Sequence, residues 1–110
     1  MVCEDAAAWD ASLPQILTGD LNCPPQDNAI GILERSGWRD TMPEKDRFAV
    51  TCHEFMGTEW PDSGRSRIDY IFVRGGIGIG GTEIIRDREG AIYPSDHYFI
   101  VSELEMPAVK

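Results

Sequence analysis

Apolar residues along this chain recur in two rhythms, and each rhythm predicts a different element. Gln15, Ile16, Leu17 and Thr18 form a short run closed by Gly19, the mark of a buried strand entering a turn. Pro24 and Pro25 then interrupt regular structure. Ala29, Ile30, Ile32 and Leu33 give one apolar face to a helix over residues 28–36, capped by Asp27 or Asn28 and closed by Gly37. Residues 48–51 predict a short strand, and residues 56–66 collect Gly, Pro, Asp and Ser as loops do. Residues 68–73 are apolar on both faces around Asp69, the pattern of a central strand covered on both sides. Further strands are expected over 82–86 and 98–104, with a turn at 87–90 and a frayed tail after Pro107. The Ala-rich stretch 3–12 favours a short helix that Pro14 stops. Strands dominate the second half, which fits an α/β (α+β) fold: a mostly antiparallel sheet with helices on one face.

A length of 110 residues allows one domain or part of one. The apolar fraction, 42%, excludes general disorder. A formal net charge of −9 opposes a protein that grips nucleic acid through a broad basic face. It leaves room for a hydrolase that works through bound metal and a few local arginines, such as Arg65, Arg67 and Arg74. Cys3, Cys23 and Cys52 are odd in number, far apart and without a CxxC pair. They read as reduced thiols, which points to a cytoplasmic location. No apolar stretch reaches the length of a membrane span. The acidic N-terminus lacks the basic and apolar regions of a signal peptide.

Three short segments place carboxylates at the edges of apolar runs. In the first, Gly19 permits a sharp turn, and Asp20 and Asn22 would project to one side if the chain stays extended. A carboxylate can take a proton from water, and an amide can donate to a phosphate oxygen. The competing reading is an ordinary turn, which Gly, Asp and Asn all favour. In the second segment Asp69 interrupts an apolar strand, and a buried carboxylate needs a partner. That partner lies either near Asp96 and His97 or in a salt bridge to Arg65 or Arg67. In the third, Asp96 and His97 are neighbours before the last strand and would point to opposite sides of an extended chain. Asp96 would face metal or water. His97 would face phosphate, its second nitrogen held by Asp69, and a carboxylate there orients the imidazole and favours its charged form. Taken alone, an Asp-His pair is more often a cap or a turn.

Together, Gly19-Asp20-Leu21-Asn22, Ile68-Asp69-Tyr70-Ile71-Phe72 and Ser95-Asp96-His97 resemble the endonuclease/exonuclease/phosphatase superfamily. The resemblance runs from about Pro14 to Leu104, and residues 37–40 and 51–55 are similar to a bacterial branch of it. It implies Asp20 as the aspartate that activates or positions water, and Asn22 as the asparagine that orients phosphate. It implies Asp69 as the holder of the catalytic His97, and Asp96 as the aspartate at or near the metal. Magnesium or manganese is the implied cofactor, and a phosphate ester the implied substrate, whether nucleic acid, sugar phosphate or lipid head group. Family members are considerably longer, with two similar halves stacked as a four-layered α/β sandwich. Residues 1–110 resemble the C-terminal half only, and Glu4 does not match the metal-binding glutamate of the first half. The expectation is a fragment or truncated product that is weak or inactive alone as a phosphoesterase. It would pair with a missing N-terminal half or form a homodimer. The alternative is a non-catalytic, self-associating module of the same fold.

Other features carry less. Gly76, Gly78 and Gly81 satisfy a dinucleotide-loop spacing, but the residues that follow read as strand, so a hairpin loop is expected. His53 has no second histidine at ligand spacing and reads as structural or as part of a substrate rim. Cys52 has no electropositive setting in sequence. Arg67 reads as a salt-bridge partner or a phosphate contact, and Trp9, Trp38 and Trp60 as packing.

Overall fold

The structure is a computed structural model that describes Cys3, residues 12–57 and residues 67–108. Trp9, Trp60, Arg65, nearly all of the expected 3–12 helix and most of the 56–66 loop lie outside the described residues. The elements are β1 (Gln15–Asp20), α1 (Asn28–Arg35), β2 (Arg39–Asp40), a short 3-10 turn (Glu44–Asp46), β3 (Asp69–Arg74), β4 (Gly78–Ile85) and β5 (Phe99–Glu105).

Strand pairing is antiparallel throughout, as the sequence pattern predicts, but the strands divide between two sheets. One has the order β1-β3-β2, and the other pairs β4 with β5. Both edges of β3 are already taken by β1 and β2, so β4 cannot add to it and pairs with β5 instead. Three hydroxyls join the sheets. Thr82 Oγ1 donates to the carbonyl of Thr41 at 2.9 Å, Ser102 Oγ donates to Thr41 Oγ1 at 2.9 Å, and Thr82 and Ser102 lie 2.7 Å apart.

Helix α1 forms where expected. The Asp27 side chain accepts from the Ala29 N–H at 2.9 Å, which satisfies one of the open N–H groups of the first turn. Ser36 ends the helix, and Gly37 follows at φ +92°, a left-handed conformation that glycine adopts without strain. Ile30 and Leu33 then pack on Trp38, Tyr70 and Phe72, with Leu17, Leu21 and Cys23 at the margin. Tyr70 and Phe72 are two apart on β3 and so share its helix-covered face. Phe72 and Ile30 are fully buried, each worth about 1.5–3 kcal/mol of hydrophobic stabilisation. This leaves Asp69, Ile71 and Val73 on the opposite face of β3.

Two expected elements differ. Residues 48–51 are not a strand; Phe48 is exposed, and pairing there is confined to a single bridge between Cys52 and His97. The glycine-rich segment is not a hairpin loop beyond its first residues. The chain turns at Gly75 and Gly76, both at positive φ, and is already strand from Gly78. A bulge between Ile79 and Gly81 absorbs the irregularity.

Candidate active site

The site is built at the end of the β1–β3 ladder. Asp20 ends β1, Asp69 begins β3, and the two are direct cross-strand partners. The Leu21 N–H donates to the Ile68 carbonyl at 2.9 Å. This marks the Asp20–Asp69 position as a closely spaced, non-hydrogen-bonded pair, with both side chains on one face. Two carboxylates so placed repel each other unless a cation lies between them. His97 occupies that position, with Nδ1 2.7 Å from Asp69 Oδ2 and Nε2 3.9 Å from Asp20 Oδ2.

Burial acts to lower the His97 pKa. It is outweighed by the hydrogen bond to Asp69 and by the negative charge of Asp69, Asp96 and Asp20, so the net displacement is upward. The imidazole is therefore biased toward its charged form, and Nδ1–H donates to Asp69. A cleft of about 400 Å³ opens over this group, lined by Thr18, Asp20, Asp69, Ile71, His97 and Phe99 among others, a size ordinary for small-ligand sites.

Several groups hold the frame. The buried Thr51 hydroxyl accepts from the Ile68 N–H at 3.1 Å and from the Asp69 N–H at 3.3 Å, which fixes the start of β3. Ser95 Oγ accepts from the His97 N–H at 3.1 Å. Arg67, fully buried, pairs both terminal nitrogens with the Asp40 carboxylate and lies 4.3 Å from the Tyr70 ring centre. It is thus a structural salt-bridge residue, and its partner is Asp40 rather than Asp69. The Tyr70 hydroxyl donates to the Cys23 carbonyl at 2.8 Å, and burial pushes its pKa well above the usual phenol range.

The structure groups Asp20, Asp69 and His97 but not all of the five residues singled out in sequence. Asn22 lies in an exposed left-handed turn at φ +53°, its N–H bonded to Asp20 Oδ1 at 2.9 Å, and it does not line the cleft. The extended spacing that would carry Asp20 and Asn22 to one side therefore ends at Asp20. Asp96 also lies outside the cleft lining, and its carboxylate stands within 4.8 Å of a His97 ring nitrogen and of Cys52 Sγ. Asp96 and His97 do not diverge, because the chain bends through residues 94–96. The hold of Thr51 on the start of β3 and of Asp40 on Arg67 had no local signal, since these partners lie 17 and 27 positions away.

Groups that could hold a metal are present among the described residues. Asp20, Asp69 and His97 form one cluster within 4.8 Å, and Cys52, Asp96 and His97 form a second. Magnesium and manganese favour oxygen donors, and magnesium keeps several waters beside one or two carboxylates. The half-buried Asp96 carboxylate fits that requirement; the Cys52 sulfur does not.

A profile described as the Endonuclease/Exonuclease/phosphatase family matches residues 10–97. No curated protein matches the chain at a significant level. Among solved structures, an endonuclease/exonuclease/phosphatase from Bacteroides vulgatus superposes with a TM-score of 0.77 at 22% identity, over 96% of this chain and 41% of its own. A functionally unknown conserved protein from Enterococcus faecalis gives 0.76 at 24% identity, over 94% and 41%. A mannosyl-6-phosphatase from Bacteroides thetaiotaomicron gives 0.71 at 23% identity, over 94% and 42%. All three share the fold, and the chain spans about two fifths of their length.

Proposed function

The chain belongs to the endonuclease/exonuclease/phosphatase family, and from that premise we propose that it carries the histidine–aspartate half of a metal-dependent phosphoester hydrolysis site. The observation that supports this reading most is the position of His97, 2.7 Å from Asp69 and 3.9 Å from Asp20 over an open cleft.

In this mechanism Asp69 holds the imidazole by its Nδ1–H and keeps it charged. The charged ring stabilises the negative charge that grows on the phosphoryl oxygens. Asp20, the most exposed of the three, takes a proton from the attacking water. Asn22 takes no step in this mechanism, because its turn carries it out of the cleft. Asp96 is the residue that would hold magnesium or manganese, which would supply neutralisation of phosphoryl charge. The substrate class is a phosphate ester. The net charge of −9 disfavours a long polyanion, and a phosphatase of similar fold brings sugar phosphates into range.

Residues 1–110 correspond in this reading to the C-terminal half of the domain, so activity of the chain alone is expected to be weak. The test is hydrolysis of an aryl phosphate monoester and diester with added magnesium or manganese. Asp20→Ala and His97→Ala should each lower the rate by about 10²–10⁴-fold, the usual range for a positioned acid or base. Undiminished rates in both variants would refute the assignment.

A second reading draws on Ile16, Phe99 and Val101, which are 49%, 50% and 47% exposed on β1 and β5. Apolar side chains on edge strands favour pairing with another chain, so the alternative is a non-catalytic module that self-associates as a homodimer. Light scattering that gives a monomer at high concentration would remove it.

A further inference from the structure

We propose that Cys52, Asp96 and His97 form a binding site for a thiophilic divalent cation of the zinc and cadmium type, distinct in chemistry from the oxygen-bound magnesium or manganese of the hydrolytic reading. The three donors come from two segments that are 44 or more residues apart and meet at one bridge. The His53 N–H donates to the Asp96 carbonyl at 2.8 Å, and the Tyr98 N–H donates to the Thr51 carbonyl at 2.7 Å. These bonds flank the Cys52–His97 position, which is therefore a closely spaced pair with both side chains on the same face. The bend through residues 94–96 brings the Asp96 carboxylate to the same place.

The donor set and its spacing both suit zinc. Cysteine sulfur, histidine nitrogen and carboxylate oxygen are its three ligand types, and a tetrahedral site with bonds of about 2.0–2.3 Å sets donors about 3.6 Å apart. Here the donor atoms lie within 4.8 Å of one another, so side-chain rotation of roughly an ångström closes the site around an ion. None of the three is exposed: Cys52 is buried, and Asp96 and His97 are half-buried. A thiolate selects zinc or cadmium over magnesium and calcium. Three protein ligands leave a fourth position open for water. Binding releases the Cys52 thiol proton and requires an uncharged His97 ring nitrogen, so affinity weakens toward acid pH.

The site has a regulatory consequence, which alone rests on the hydrolytic reading. Both metal-ligating clusters share His97. An ion on Cys52, Asp96 and His97 removes the imidazole's charge and occupies Asp96, so the hydrolytic site and the thiophilic site cannot be filled together.

Cadmium titration of the full chain, followed by the ultraviolet thiolate-to-cadmium charge-transfer band, tests this without any activity assay. The wild-type protein should bind one equivalent, with His97 ceasing to titrate in proton NMR, and excess magnesium should not displace it. Cys52→Ser should abolish the band and weaken affinity at least tenfold. The double variant Cys3→Ser/Cys23→Ser should keep both, since burial and the nearby Asp27 and Asp20 charges push the Cys23 thiol pKa up and disfavour its thiolate. A band that survives Cys52→Ser, or vanishes in the double variant, overturns the proposal. Should Cys52→Ser fail to fold, the double variant with Cys52 intact still decides: binding that leaves the His97 titration untouched contradicts it.

Discussion

Asp20 and Asp69 face each other across the β1–β3 ladder, and the His97 ring lies between their carboxylates. Burial opposes the histidine's charge, but the Asp69 hydrogen bond and the charges of Asp69, Asp96 and Asp20 outweigh it. Their coupling has consequences for pH, for stability and for chemistry.

His97 should titrate above the ordinary histidine value in an NMR titration, and Asp69→Asn should bring its midpoint down. The folded pKa is raised, so the pairing contributes stability that is fully present below the unfolded value of 6.5 and is lost as pH rises through the folded value. Urea midpoints measured across that window should fall with pH in the wild type and fall less in Asp69→Asn. A His97 midpoint unchanged by Asp69→Asn would remove the pairing.

Asp40→Ala should destabilise the fold by about 3–5 kcal/mol, because it leaves the buried Arg67 guanidinium without its counter-charge. Arg67 is fully buried and Asp40 nearly so. Breaking the exposed Lys45–Asp46 pair with Asp46→Ala should change stability by less than about 1 kcal/mol. Chemical denaturation of the two variants side by side checks the contrast.

Thr51→Val removes the hydroxyl that the Ile68 and Asp69 N–H groups donate to. The expected loss is about 1–3 kcal/mol for buried donors left without a partner. Because the same bonds place Asp69, the His97 midpoint should also move toward the ordinary value. A stability loss with an unmoved midpoint would make Thr51 a packing residue only.

Gly75 stands at φ +83°, and an added Cβ would lie 2.0 Å from the Leu13 carbonyl oxygen, a backbone atom that cannot yield. Gly75→Ala should therefore destabilise by more than the ~1 kcal/mol typical of a residue forced into the left-handed region. Differential scanning calorimetry should show a clear drop in Tm, larger than the drop for Gly90→Ala, where φ of +60° imposes the left-handed strain but the space is open.

Much of this architecture was legible because it is written in local pattern. The apolar run at 68–73, the Asp27 cap with its amphipathic helix, and the strand before Gly19 each carry their own periodicity. What was not legible depends on contacts distant in sequence. Strand β2 is only Arg39 and Asp40, too short to show a period, and exists because β3 offers it an edge. The glycines of β4 looked like loop residues, but Gly78 and Gly80 fit closely over Glu105 and Glu103 of β5, a spacing that larger side chains would crowd. For the site, the need to pair a carboxylate held in an apolar strand left the partner of Asp69 open between His97 and an arginine, and the family resemblance pointed to His97. The turn that takes Asn22 out of the cleft, and the bridge that sets Cys52 beside His97, depend on backbone geometry that residue types alone do not specify.

In the proposed mechanism His97, charged by Asp69 and opposed by Asp20, drives phosphoester hydrolysis. The decisive measurement is the pH dependence of manganese-supported aryl phosphate hydrolysis, taken beside the His97 NMR titration. The rate should fall on the alkaline side at the same midpoint as His97, and Asp69→Asn should shift both to lower pH together. A descending limb that ignores the His97 midpoint, or stays in place while Asp69→Asn moves the NMR titration, would contradict the claim.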